Sequence, residues 1–83
     1  MNNLDKFMEV YTRHLKLAVE SHPEEYVYSM DELFVVLARM RNAFAHKSFN
    51  KDSRAIKATC KELKIKHTYR DIETFLGHTE VAQ

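Results

Sequence analysis

The chain contains a single glycine, Gly77, and a single proline, Pro23, among its 83 residues. The tight turns of an all-β fold depend on these two residue types, whereas helices need few of either. Hydrophobic residues make up 45 % of the chain and aromatic residues 11 %, which is enough to bury one modest core. The sequence therefore predicts a single all-α domain that spans residues 1–83.

Apolar residues recur at steps of three and four, the spacing that gives a helix one apolar face. Together with the breaks between them, they predict four helices, at about residues 3–21, 29–46, 53–63 and 68–77. The apolar run at residues 33–38 surrounds much of the second helix, so we expect this helix to be the central one. The predicted architecture is an N-terminal helical hairpin (1–47), a C-terminal helix-turn-helix-like pair (50–77) and a flexible tail (78–83).

Several polar residues are placed to cap these helices. Ser29 and Glu32 have the spacing of a capping box, in which each side chain bonds to the backbone N–H of the other residue. Thr68 begins a similar pattern before the fourth helix. Asn50 or Asp52 is expected to cap the third helix.

The net charge of +1 conceals a marked separation of charge along the chain. Residues 39–70 hold ten lysines and arginines and only two acids, whereas residues 1–38 hold three basic and seven acidic residues. A concentrated basic segment is typical of a phosphate-binding face, because neutralising phosphates releases condensed counterions. The alternative is that these are solvated faces, or that the acidic and basic halves pair within the fold or across a dimer.

The single cysteine, Cys60, excludes an intrachain disulfide and lies in phase with apolar neighbours, so we expect a buried thiol. The histidines show no spacing typical of metal ligands, and we expect neither a metal nor another cofactor. No apolar run is long enough to span a bilayer, and the first residues lack the regions of a signal peptide. The sequence therefore predicts a cytoplasmic protein without a membrane partner.

Residues 58–76 resemble a helix-turn-helix motif. Leu63, Ile65 and Ile72 follow its order of apolar positions, while the turn position that is usually glycine is Lys64. The resemblance implies that the second helix of the pair meets base edges or phosphates. Together with the basic segment, it gives the expected nucleic-acid-binding residues: Lys57, Lys61, Lys64, Lys66, His67, Thr68, Tyr69 and Arg70.

The C-terminal third also resembles small uncharacterised proteins of tailed bacteriophages and prophages. The residues that carry this resemblance are Asn50-Lys51-Asp52, Ala55 to Leu63, Ile65 to Tyr69 and Ile72 to Leu76. The resemblance implies a phage or mobile-element origin and a bacterial host cell. Small helical proteins of that setting are commonly DNA-binding regulators or inhibitors of a host protein.

A different motif lies in residues 41–46. Arg41, Asn42 and His46 match the arginine, polar residue, three others and histidine of HEPN-type ribonucleases. The resemblance implies that Arg41 would stabilise phosphate charge, that His46 would act as general acid or base on the 2′-hydroxyl, and that Asn42 would orient them across a dimer interface. The alternative is a surface arginine and a histidine favoured by the helix dipole.

Three functions follow from these patterns. The first is a small phage-type nucleic-acid-binding protein, DNA-binding and regulatory rather than enzymatic, with its basic face in residues 47–70. The second is a protein that binds or inhibits a host or phage protein through its acidic half or through Tyr26, Tyr28 and Phe49. The third is a HEPN-like ribonuclease. A homodimer is a further expectation, because a domain this small often gains stability by association.

Overall fold

A computed structural model describes residues 2–26 and 28–77. Within these residues the chain forms four helices and no strand, which confirms the prediction of an all-α, four-helix fold. The helices are α1 (Asn3–Ser21), α2 (Met30–Ala45), α3 (Arg54–Leu63) and α4 (Tyr69–Phe75). The tail that the sequence predicted at 78–83 lies outside the described residues. No helix in the described part of the chain is long and apolar enough to cross a bilayer.

The helix starts are set by side chains that accept hydrogen bonds from otherwise unpaired N–H groups. The capping box before α2 is confirmed: Ser29 Oγ accepts from the Glu32 N–H at 3.2 Å, and the Glu32 carboxylate accepts from the Ser29 N–H at 2.8 Å. These bonds lower the pKa of the Glu32 carboxyl. Thr68 caps α4 as predicted, accepting from the Asp71 N–H at 3.1 Å.

The prediction that Asn50 or Asp52 caps α3 is wrong. The cap is Ser53, whose Oγ accepts from the Ile56 N–H at 3.4 Å. Both expected residues are used inside the preceding loop, because Asn50 Oδ1 accepts from the Asp52 N–H and the Asp52 carboxylate accepts from Lys51 Nζ, each at 3.0 Å. Both candidate side chains are thus already hydrogen-bonded within the loop, and Ser53 is left to cap the helix.

The central helix is α1, and the expectation that α2 is central is also wrong. α1 packs most extensively against α3 and also contacts α2. Its buried side chains recur at helical spacing from Phe7 to Ala18. The apolar residues of α2 surround the helix rather than forming one stripe, so only part of them can face α1. Phe34, on the outer side of α2, is 74 % exposed.

Aromatic side chains connect the elements at the centre of the molecule. Phe44, at the end of α2, meets Phe7 and Tyr11 of α1 edge to face, with ring centroids 4.9 and 5.2 Å apart. Its ring also contacts Phe49 of the following loop at 5.4 Å, and Phe49 in turn contacts Tyr69 at 5.4 Å. Burial raises the pKa of the Tyr11 hydroxyl. This chain of rings fixes the loop of residues 46–53 between the end of α2 and the start of α4.

Candidate nucleic-acid interface

The exposed side of α3 carries lysines, while its other side is buried. Lys57, Lys61 and Lys64 follow one another at steps of four and three residues, which places them along one face, and all three are exposed. Ile56 and Cys60 are almost completely buried on the other face. The predicted burial of Cys60 is therefore confirmed, and burial raises the pKa of its thiol.

Lys64 ends α3 in the left-handed backbone conformation, with φ 59° and ψ 43°. Its N–H donates to the carbonyl of Lys61 at 3.3 Å, and the Ile65 N–H donates to the carbonyl of Cys60 at 2.9 Å. This is the Schellman pattern, in which glycine is favoured because it has no Cβ. Lys64 thus adopts the conformation expected of the usual turn glycine. The connection to α4 has five residues, longer than the roughly 3–4 residues of a standard helix-turn-helix.

The basic side of the molecule continues from this turn onto α4. Lys66 in the turn and Arg70 in the first turn of α4 are both exposed. A shallow groove runs beside them, lined by Lys64, Ile65, Lys66, Asp71, Thr74 and Phe75. Five exposed cations therefore lie on α3, on the turn and at the start of α4. We call Lys57, Lys61, Lys64, Lys66 and Arg70 the basic surface.

The other three expected binding residues hold the turn in place. His67 is hydrogen-bonded through its imidazole to the carbonyl of Lys51. Thr68 caps α4 and donates through its hydroxyl to the Asp71 carboxylate at 2.8 Å. Tyr69 packs its ring against Phe49. These contacts give His67, Thr68 and Tyr69 a structural use, although Tyr69 is still 43 % exposed.

The two acids that lie among the basic residues of the segment 39–70 are both neutralised by ion pairs. Glu62 accepts two hydrogen bonds from Arg13 of α1, each 2.7 Å long, and one of 2.8 Å from His14. The Arg13 bond is the main cause that lowers the pKa of the Glu62 carboxyl to about 2. The Lys51 ammonium likewise lowers the pKa of the Asp52 carboxyl through a hydrogen bond. The strongest partner of each acid is thus a residue outside the basic surface, and Lys57 makes a smaller contribution at Asp52.

The five side chains of the basic surface form no ion pair within 4.0 Å among the described residues. Three of the four arginines elsewhere differ, whereas Arg39 is also exposed and, among the same described residues, unpaired. Arg13 pairs with Glu62, Arg41 with Asp5 of α1 and Arg54 with Glu25 of the connector. The cations of the basic surface therefore project into solvent, where a polyanion can reach them.

Lys51 belongs beside this surface and was not among the expected site residues. Its ammonium lies 5.7 Å from the centroid of the Tyr69 ring, within the range of a cation–π contact, and its N–H donates to the Tyr69 hydroxyl at 3.5 Å. The two residues are 18 positions apart, so no helical spacing brings them together. The contact between Lys51 and Tyr69 depends on the packing of Phe49 against Tyr69, which holds the loop beside α4.

The HEPN-like residues lie in the second half and at the end of α2. Arg41 donates to the Asp5 carboxylate at 3.1 Å. His46 follows the last residue of α2, and its N–H donates to the carbonyl of Asn42 at 2.9 Å. Five residues of helix separate Arg41 from His46, a rotation of about 140° around the axis. Asn42 and His46 thus share a face that Arg41 does not.

Three side chains in the connector after α1 could approach a metal ion. The ligand atoms of His22, Glu24 and Glu25 lie within 4.8 Å of one another. The Arg54 guanidinium occupies part of this space, 3.0 Å from the Glu25 carboxylate. The cluster is open to solvent, and the Arg54 guanidinium already compensates its negative charge. A metal ion would therefore gain little by leaving water for this site.

All three aromatic residues that were expected to anchor a protein partner line one concave pocket. Tyr26 and Tyr28, with rings 6.2 Å apart, stand at its edge. Val36 and Met40 of α2 line its apolar side. Phe49, the third expected anchor, also lines the pocket but is buried. The pocket is a further concave surface that a ligand could use.

No protein-family model, no curated protein and no solved structure matches this chain. Around α3, the turn and the start of α4 the chain provides exposed cations and one exposed tyrosine ring, together with the Asp71 carboxylate at the groove.

Proposed function

We propose that this chain is a small nucleic-acid-binding protein that binds DNA through the basic surface. The observation that carries the proposal is the set of five exposed cations without an ion-pair partner in the described part of the chain. Neutralising phosphates with such cations releases counterions, which supplies most of the affinity of sequence-independent binding.

The arrangement of the basic surface also suits a duplex. Lys57, Lys61 and Lys64 extend along α3 for about 10 Å at 1.5 Å per residue, which allows contacts with successive phosphates of one strand. Arg70 lies in the first turn of α4, and in a helix-turn-helix the second helix enters the major groove. Its guanidinium has the geometry to bond a guanine edge, whereas the lysine ammonium groups suit phosphates. We therefore assign phosphate contacts to the lysines and a base contact to Arg70.

The resemblance to phage and prophage proteins gives this activity a setting. A small DNA-binding protein without an enzymatic site fits a regulatory role in a phage or mobile element within a bacterial host. A non-enzymatic role is part of this proposal, and the fate of the RNA in the binding assay tests it. The competing hypothesis is a protein-binding inhibitor that uses the pocket at Tyr26 and Tyr28.

The test is binding to a random-sequence DNA duplex and to a single-stranded RNA, followed by fluorescence anisotropy at several salt concentrations. If five phosphates are neutralised, the slope of log K against log salt should be about −4.5, at −0.9 per phosphate. The RNA should remain intact. Cleavage that disappears in a His46→Ala variant would instead support the HEPN-like ribonuclease.

A matched pair of double variants separates the basic surface from net charge. Lys61→Gln with Lys66→Gln removes two cations of the basic surface, and should reduce the slope by about two. Lys6→Gln with Lys16→Gln removes the same charge from exposed positions of α1 and should leave the slope unchanged. An equal loss in both, or no binding at low salt, overturns the proposal. A discrete protein partner in a pull-down would then favour the inhibitor.

A further inference from the structure

The outer face of α2 has apolar side chains at its centre that the described residues 2–26 and 28–77 leave uncovered. Phe34 is 74 % exposed and Val35 52 % exposed. Ala38, one helical turn after Phe34, is also exposed, and Asp31 and Arg41 continue the same face toward the two ends of the helix. We call Asp31, Phe34, Val35, Ala38 and Arg41 the α2 outer face. Large apolar side chains grouped on one exposed face are typical of an interaction surface.

Charge is distributed unevenly along α2. Acidic Asp31 and Glu32 lie in its first turn, and Arg39 and Arg41 lie in its second half. Two copies of α2 in antiparallel orientation would place the acidic start of each beside the basic half of the other. A parallel pair would place like charges together, which is unfavourable. The face is therefore complementary to itself in one orientation.

We propose that two copies of this chain associate through the α2 outer face, with the two α2 helices antiparallel and related by a two-fold axis. The register that places Asp31 beside Arg41 of the other copy also places Phe34 against Ala38. The small alanine leaves room for the phenylalanine ring, and the two-fold axis repeats the contact. Such an isologous contact closes on itself and needs no other surface.

Arg41 can serve this contact without leaving its own chain. One guanidinium nitrogen donates to Asp5 at 3.1 Å, and a guanidinium has five N–H donors in all. A carboxylate from the second copy can therefore bind the same group. The ion pairs lie at the rim and are exposed, so they set the orientation more than the affinity.

The contact is small. A helix of 16 residues is about 24 Å long, and one pair of such helices buries less than the roughly 800 Å² per partner of a standard interface. We therefore expect a reversible dimer that dissociates on dilution. Because the surface differs from the basic surface, dimerisation and nucleic-acid binding can succeed or fail separately.

The experiment is sedimentation velocity on the full chain over about three decades of protein concentration, bracketing a micromolar Kd. The mass should rise from that of a monomer to that of a dimer. Phe34→Glu should abolish the rise. Leu17→Glu is the matched control, because Leu17 is 52 % exposed but lies on α1 outside this face; it should dimerise normally. Circular dichroism checks that both variants keep the helical fold.

A chain that stays monomeric at every concentration overturns the proposal, as does dimerisation that survives Phe34→Glu. A larger assembly that both variants disrupt equally also overturns it, because general hydrophobic association would then explain the data.

Orientation is tested by a Val35→Cys variant. In the proposed register Val35 lies next to the two-fold axis, so two copies should form a disulfide with each other on mild oxidation. The native Cys60 is 1 % exposed and should not compete. A Leu17→Cys control should stay uncrosslinked. Equal crosslinking in both variants, or none at Val35→Cys, overturns the antiparallel register.

Discussion

α2 and α3 reverse the expectation that the more apolar helix is the more buried one. α2 contains the longest apolar run of the chain, yet Phe34 and Val35 face solvent. α3 is rich in charged residues, yet it buries Ala55, Ile56 and Cys60 against α1. The difference lies in the arrangement of the apolar residues around the axis. One continuous stripe can be buried completely, whereas apolar residues on all sides cannot.

The two phenylalanines of α2 show the same contrast within one helix. Phe44 is fully buried and contacts the rings of Phe7, Tyr11 and Phe49, whereas Phe34 projects outward. The two residues are ten positions apart, so their side chains point in directions that differ by about 80° around the helix axis. Burial is therefore a property of the position on the helix and not of the residue type.

The largest expected effect is the loss of the Phe44 ring. Phe44→Ala should lower the free energy of unfolding by about 3–5 kcal/mol, because it removes buried apolar area and leaves a cavity. Phe34→Ala should change it by less than about 0.5 kcal/mol. Urea unfolding at low protein concentration, where the chain is monomeric, measures both values. Similar losses in the two variants would show that α2 packs differently from this description.

Local patterns predicted most of the fold. The apolar spacing gave the extent of α1, and the capping pairs at Ser29 and Thr68 were placed correctly, because a cap depends on residues only three positions apart. The cap of α3 was misassigned, since Asn50, Asp52 and Ser53 all suit that position. The centrality of α1 could not be read from composition, because it depends on which faces of different helices meet.

Part of the candidate site was also predictable. The lysines of α3 are exposed because their spacing opposes that of Ile56 and Cys60, a pattern visible in the sequence. The ion pair of Glu62 with Arg13, 49 positions away, has no local signal. The same is true of the contact of His67 with the Lys51 carbonyl. Ion pairs between residues far apart in the sequence decide which charged side chains remain free to bind a ligand. The spacing of residues along one helix does not predict such pairs.

The ends of α2 and α3 allow a smaller and more selective test. Lys47 and Lys64 both have φ 59°, and the N–H of the next residue donates back across the helix end in each case: Ser48 to Ala43 at 2.7 Å, and Ile65 to Cys60 at 2.9 Å. Lys47→Gly and Lys64→Gly should each raise the free energy of unfolding by about 0.5–1 kcal/mol, because glycine adopts this conformation without strain.

The same two variants should differ in nucleic-acid binding. Lys64→Gly removes one cation of the basic surface and should lower the salt slope by about one. Lys47→Gly removes a lysine outside that surface and should leave the slope as it is. Thermal unfolding and anisotropy on the same samples separate stability from binding. A loss of stability in Lys64→Gly would contradict the left-handed geometry assigned to the turn.

The smallest expected effect concerns the ion pair that joins α3 to α1. The pKa of the Glu62 carboxyl is lowered from 4.5 to about 2, first by its hydrogen bond to Arg13. A lowered pKa in the folded state stabilises the fold above pH 4.5, and this contribution disappears as the pH falls toward 2. Because the pair is exposed, salt should weaken it.

Glu62→Gln should therefore be less stable than the unmodified chain at neutral pH, and the difference should close as the pH approaches 2. Arg13→Gln removes the other member of the ion pair and should abolish most of the same pH dependence. The double variant should be little less stable than either single variant, because both remove one interaction. Urea unfolding across this pH range measures the difference. A gap that stays constant with pH would show that Glu62 contributes by packing rather than by charge, and that α3 is held to α1 by its apolar face alone.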